Sequence, residues 1–217
     1  MVVPAHNSAG SLANCLKALA AQTIVGDGEI IVVDDGSTDG TADMLRRLTG
    51  PRLRVITIDH SGPAAARNAG AAAAAEIVLF TDADCEPEPN WVEEMLAPFR
   101  DPSVIGVKGV YQTDQTALLA RFVQAEYEDK YARLERVQRR HGRIDFVDTS
   151  SAGYRREVLL AIGGFDEAFR QPSTEDVDLS YRLAGSGHRI VFAPAAVVRH
   201  RHATTIWAWL ARKARYA

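Results

Sequence analysis

A chain of 217 residues that is 47% hydrophobic and 24% charged has the size and balance of one well-packed globular domain, which excludes disordered and fibrous classes. Its formal net charge of −3 gives no electrostatic ground for a nucleic-acid partner. The two cysteines, Cys15 and Cys85, form neither a disulfide framework nor a metal-ligand spacing, and no apolar run approaches the roughly 18–20 residues of a membrane span, so a cytoplasmic setting is expected.

Met1-Val2-Val3 reads as the last part of a buried strand, since whole strands usually run about 5–6 residues. A polar loop then leads to a helix after Ser11 whose Leu12, Leu16 and Leu19 share one face. Glu29–Val33 holds a continuous β-branched run, as expected of a strand covered on both sides. Asp34–Gly40 is a loop in which Ser37, Thr38 and Asp39 can each cap the helix carrying Leu45 and Leu48. Leu53–Ile58 is a further strand, the alanine-rich Ala64–Ala75 a helix, and Ile77–Phe80 a fourth strand. Strands separated by helices predict an α/β fold with a doubly wound, mostly parallel sheet.

The pattern changes after Pro87. Trp91–Phe99 reads as a helix and Val104–Tyr111 as extended. From Thr116 to Arg140 the apolar positions, from Leu119 to Val137, recur mostly at three- and four-residue steps and predict a long helix with a charged outer face. Ser180–Ala184 continues another helix, closed by Gly185-Ser186-Gly187, and Arg189–Phe192 and Ala196–Val198 return as strands. The charges from Arg199 onward are all basic (Arg199, Arg201, Arg212, Lys213, Arg215), which suits a surface meeting phosphates or anionic lipid, or a solvated helix face. The last residues, Arg215-Tyr216-Ala217, carry no helix-stop signal, so both ends read as cut.

In open parallel sheets ligands bind beyond the carboxyl ends of the strands. Polar clusters follow three of the strands: Pro4-Ala5-His6-Asn7, Asp34-Asp35-Gly36-Ser37 and Asp82-Ala83-Asp84. Like charges gathered at one edge raise the cost of folding, and a bound cation removes that cost. Two carboxylates flanking one residue at a strand end can present oxygens to a hard divalent ion that also takes substrate phosphates. An Asp-x-Asp alone is weak evidence, but Ile77–Thr81 feeds a buried strand directly into this one.

The chain resembles the family 2 glycosyltransferases of GT-A fold, the bacterial inverting members in particular. The resemblance is carried, in order, by Val3–Asn7, Ile31–Asp39, Gly62–Gly70, Phe80–Asp84, Gly163–Glu167 and Thr174–Leu183, which together span most of the chain. It implies one GT-A domain over 1–217, continued beyond its C-terminus, with a nucleotide-sugar-binding half at about 1–110 and a smaller acceptor-binding half at about 111–217. It implies a divalent metal, Mn2+ or Mg2+, a nucleoside-diphosphate sugar donor and a saccharide or lipid-linked acceptor. Asp35 would contact the nucleobase, with Pro4, Ala5 and His6 lining its pocket and Arg67 nearby, although family members usually carry an aromatic where His6 stands. Asp82-Ala83-Asp84 would hold the metal and diphosphate, with Asp82 against ribose or metal-bound water, Asp84 as the direct metal ligand and His200 as a further one. Asp176 would be the general base of an inverting transfer. Glu175 would orient the acceptor or serve, like Asp178, as an acid in a helix's first turn. Tyr154 is placed on the acceptor side, and the tryptophans are assigned to core or lobe contacts. His202 shares a face with His200 and is a weaker candidate ligand.

The processive polysaccharide synthases of the resembled family carry a Gln-x-x-Arg-Trp segment after the base, and none follows Asp176, so the resemblance implies a single transfer rather than chain synthesis. The charged helix around Glu126–Arg140 and the basic end point to a peripheral contact at the inner face of a membrane. The competing readings are a catalytically silent nucleotide-sugar-binding module and a sugar nucleotidyltransferase. The latter uses a basic glycine-rich loop near the start, and Pro4–Leu12 contains no arginine or lysine.

Overall fold

The computed structural model describes residues 1–24, 28–48, 50–171, 174–185 and 187–213. The apolar stretches of the first half form β1 (Val2–Ala5), β2 (Ile30–Asp35), β3 (Leu53–Ile58) and β4 (Ile77–Thr81), joined by α1 (Leu12–Ala20), α2 (Thr41–Arg47) and α3 (Pro63–Ala73). These strands pair in parallel in the order β3-β2-β1-β4. β2 is buried throughout and β3, at the sheet edge, is partly exposed, which accounts for its more polar sequence. The alanines of α3 serve packing as well as helix propensity: Ala64, Ala66 and Ala71 are buried, and a Cβ on Gly70 would lie 2.3 Å from Val2 Cγ1.

The second half continues the same sheet. It contributes β5 (Cys85–Pro87), α4 (Trp91–Leu96), a 3-10 turn (Ala97–Arg100), β6 (Val104–Gln112), α5 (Leu118–His141), β7 (Ser151–Arg155), α6 (Arg156–Ala161), α7 (Glu175–Gly185), β8 (Arg189–His200) and α8 (Ile206–Lys213). The full order of the 8-stranded sheet is β3-β2-β1-β4-β7-β6-β8-β5. β7 runs antiparallel to both β4 and β6, and β8 is parallel to β6. The carboxyl ends of β1, β2, β4, β6 and β8 therefore converge at one edge, where the chain also enters β7. The division expected near residue 110 falls inside β6, so both halves share a single sheet.

Three elements differ from expectation, each for a physical reason. β7 lacks a β-branched signature because its neighbours leave no room: a Cβ on Gly153 would lie 2.8 Å from Leu79 Cδ2 and 3.2 Å from Met95 Cε. The helix expected over Trp91–Phe99 becomes 3-10 from Ala97, at Pro98. The two strands expected at 189–192 and 196–198 are one, β8, because the register shift opposite Lys108–Val110 takes up Pro194 without a ladder bond. Among the described residues no helix is long and apolar enough to cross a membrane.

One core runs through the sheet, with Phe80, Trp91, Met95, Phe165, Leu179 and Leu183 fully or almost fully buried. Each such side chain contributes about 1.5–3 kcal/mol by leaving water.

Candidate active site

A cleft of about 950 Å³ opens at the convergent sheet edge. It is lined by Pro4, Ala5, His6, Asp35, Arg67, Asp82, Ala83, Asp84, Glu175, Asp176 and His200, so eleven of the twelve expected site residues meet there. Tyr154 does not: it is 1% exposed and packs edge-on against Phe80 in the core. It points inward from β7, so its expected contact with an acceptor is withdrawn.

At the β1–β3 end, Asp35 leaves the last position of β2 and its side chain is 4% exposed. Ser61 N–H donates to its Oδ1 at 2.7 Å, while Gly62 N–H (3.0 Å) and His60 Nδ1–H (2.9 Å) donate to Oδ2. Gly62 is required there, with φ of 96° and a would-be Cβ 2.4 Å from the Arg170 carbonyl oxygen. His6 donates from Nδ1 to the Asp35 carbonyl (2.7 Å), and its ring stacks on His60 at 4.1 Å. Asn7, with φ of 50°, ties this loop to the next by accepting from Thr38 N–H at 2.8 Å. Asp34 instead orders its own loop, accepting from Ser37 N–H at 3.2 Å.

In the middle, buried Arg67 rises from α3 and bridges Glu175 Oε1 (2.7 Å) and Asp82 Oδ1 (3.2 Å). Glu175 is thus tied to Arg67 as well as lying in the first turn of α7. Burial raises the Asp82 carboxyl above its ordinary range; Arg67 opposes this and Asp84 adds to it. The antiparallel register of Cys85 opposite His200 brings Asp84 beside the imidazole, with 3.4 Å between Oδ2 and Nε2. Asp84 is 53% exposed. A carboxylate beside an imidazole, with a second carboxylate two residues away, is a donor set that suits Mn2+ and also accommodates Mg2+. Cys85 also lies in this cluster, but burial and the carboxylates of Asp82 and Asp84 raise its thiol well above its ordinary range, so it stays protonated. The expected ligands Asp84 and His200 fit a divalent cation; Cys85 does not. His202 faces away, stacked on Tyr127 and bonded to Gln124 (3.1 Å).

At the far end, Asp176 is the second residue of α7 and is partly buried, accepting from Val177 N–H at 2.8 Å. Burial, then repulsion from Asp148 and Glu175, pushes its carboxyl up to about 7. Asp148 has no signal in the sequence. It reaches the cleft only because β7 inserts antiparallel, and it is held by the fully buried Lys108 (3.0 Å) and by Lys130 of α5 (3.3 Å). Burial acts to raise Asp148, but the two lysines outweigh it and hold it below the usual range. His60 also lacks a sequence signal, since a lone histidine after the edge strand β3 carries no pattern of its own.

The tryptophans separate: Trp91 is core, Trp209 of α8 reaches the cleft wall, and Trp207 is 79% exposed. Of the basic end, Arg199 pairs with Glu88 and Asp114, Arg201 is exposed, and the side chains of Arg212, Lys213 and Arg215 lie outside the described residues.

Comparison with known proteins shows the family and the fold. The family model for glycosyl transferase family 2 matches residues 1–163. A pre-mycofactocin glycosyltransferase of Mycobacterium tuberculosis is 33% identical across the whole of this chain, which spans 45% of that protein's length. An O-antigen chain rhamnosyltransferase of Salmonella typhimurium is 26% identical over 93% of the chain and 66% of its own length. The mannosyltransferase PcManGT of Pyrobaculum calidifontis, solved with GDP-Man and Mn2+, superposes with a TM-score of 0.75 at 27% identity, covering 98% of this chain and 59% of that one. A GT-A sheet, a cleft at its carboxyl edge and a family match across most of the sequence place the chain in glycosyl transferase family 2.

Proposed function

We propose that this chain moves a sugar from a nucleoside-diphosphate sugar to an acceptor hydroxyl, with inversion at the anomeric carbon and Asp176 as general base. The observation that carries the reading is the cleft itself, with the exposed Asp84 beside His200 on one side and Asp176, pushed up to about 7, on the other. Similarity to a mannosyltransferase solved with GDP-Man and Mn2+ supports it.

Asp84 and His200 would hold the divalent cation, Mn2+ or Mg2+, whose contribution when bound is to neutralise the charge of the departing diphosphate. Pro4, Ala5, His6 and Asp35 would line the nucleobase end, and Ala83 would lie along the diphosphate. Arg67 fixes Asp82 and Glu175, so the floor of the cleft is set before substrate arrives. Asp176 in its ionised form accepts the acceptor's hydroxyl proton. The freed oxygen bonds to the anomeric carbon from the face opposite the diphosphate as the sugar–phosphate bond breaks, so a single carboxylate suffices. Asp148 and Lys130, with the ring of Phe146 3.9 Å from the Lys130 ammonium, form the acceptor-side wall.

A saccharide or lipid-linked acceptor fits the O-antigen relative, and a peripheral membrane contact is supported by exposed Leu118, Phe122, Ile206 and Trp207. If the protein stays in the supernatant with sedimented anionic vesicles, that contact is removed. The transfer itself is tested by thermal shift with a panel of nucleotide sugars and Mn2+, then by NMR of the product's anomeric proton. A raised melting temperature with one donor class and an inverted product are expected. A retained configuration would remove Asp176 from its role.

A further inference from the structure

The nucleobase end of the cleft differs from what the resemblance implies. Asp35 offers about four lone-pair sites, and three are occupied by Ser61 N–H, Gly62 N–H and His60 Nδ1–H. With its side chain almost wholly buried, its carboxylate is an internal brace for the loop after β3. The polar group left at the surface is the imidazole it braces. His60 lines the cleft with a side chain 50% exposed. A carboxylate accepts only, so in the neutral ring of His60 the proton sits on Nδ1. That leaves Nε2 a hydrogen-bond acceptor with no protein partner among the described residues. His6 is committed on both nitrogens, Nδ1 to the Asp35 carbonyl and Nε2 to Asn7 Nδ2 at 3.1 Å, so it offers a ring face and no free edge. Gly36 completes the mount. Its φ is 62°, and a Cβ there would lie 2.8 Å from His60 N, so the β2 loop packs directly on the backbone that carries the ring.

We propose that His60, through Nε2, is the residue that reads the donor's nucleobase, with the stacked His6–His60 pair as its platform and Asp35 as the positioning residue behind it. The inference rests on the donor reading above. A single neutral acceptor selects a base with an imino N–H at the centre of its pairing edge, which uracil, thymine and guanine have. Cytosine and adenine place a ring-nitrogen lone pair there, which meets the Nε2 lone pair. The donor class is therefore a UDP-, TDP- or GDP-sugar, and CDP- and ADP-sugars are disfavoured.

The test is isothermal titration of the wild type, His60→Asn and His60→Gln with UDP, TDP, GDP, CDP and ADP in Mn2+. Asn keeps a donor near the Nδ1 position, and so the brace to Asp35, but has no group at Nε2. Gln places its amide oxygen near Nε2. The expected result is an imino-base preference in the wild type that falls about tenfold in His60→Asn and is largely kept in His60→Gln. An unchanged preference in His60→Asn, with an unchanged melting temperature, would overturn the inference and return base reading to Asp35. Failure of the wild type to bind any of the five would overturn the donor reading and this inference with it.

Discussion

The β1–β3 end of the cleft and its α7 end are built on opposite electrostatic terms. At the first, charge is paired off: Asp35 accepts from three donors, and the pairing continues into the middle of the cleft, where Arg67 lies between Asp82 and Glu175. At the second, Asp176 stands near two other carboxylates, its own carboxylate accepting from the adjacent Val177 N–H, and its carboxyl is pushed up to about 7. Pairing fixes geometry but removes reactivity. A partly buried carboxyl crowded by like charge keeps the capacity to take a proton near neutral pH. A transfer site needs both, and here they occupy different walls.

The comparison can be broken most severely at Arg67. Arg67→Met leaves Glu175 buried without its cation, and denaturant unfolding should show a loss of about 3–5 kcal/mol. A loss below 1 kcal/mol would mean that the paired end is not held by its pairs. A smaller effect is expected at the exposed carboxylate: Asp84→Asn should weaken Mn2+-dependent nucleoside-diphosphate binding at least about tenfold, near 1.4 kcal/mol, with little change in folding stability. Equal binding with and without Mn2+ in the wild type would contradict the assigned cation site.

The α7 end is sharpened by pH. With Asp176 at about 7 in the folded protein, its ionised fraction rises with pH. The rate should climb about tenfold per unit below 7 and level above it. The same shift makes a stability statement. A carboxyl raised above its unfolded value of 3.8 favours the folded state at low pH, and that contribution is lost as pH rises from about 4 to about 7. Asp148→Asn removes a repulsive neighbour, so the rising limb should move to lower pH; a limb that stays in place would show that burial alone sets it. The smallest effect belongs to Trp207→Ser on α8, exposed and outside the cleft, which should change stability by no more than about 0.5 kcal/mol.

What could be read from the sequence follows from range. Asp35, Asp82, Asp84 and Asp176 announce themselves because each sits in a local pattern, Asp35 at the end of an apolar strand and Asp82 and Asp84 just after one. Asp148, Lys108 and Lys130 meet only because β7 inserts antiparallel between β4 and β6, and nothing in their local sequence records that pairing. Tyr154 is the complementary case: a tyrosine beside Gly153, in the segment leading to Gly163-Gly164, suits an acceptor side, yet it is buried in the core. The small residues before it are there because the packed sheet has no room for larger ones. The parallel half was legible since buried strands and alanine-rich helices carry their own periodicity, whereas the β8 bulge around Pro194 depends on its partner.

The most direct measurement is Asp176→Asn assayed side by side for donor binding and for transfer at pH 8 with Mn2+. The substitution keeps the shape of the side chain and removes its capacity to accept a proton. Unchanged affinity for the nucleoside diphosphate, with turnover reduced about 10²–10⁴-fold, is the predicted result. Turnover within a few-fold of the wild type would contradict the assignment of the base and, with it, the contrast between the two ends of the cleft.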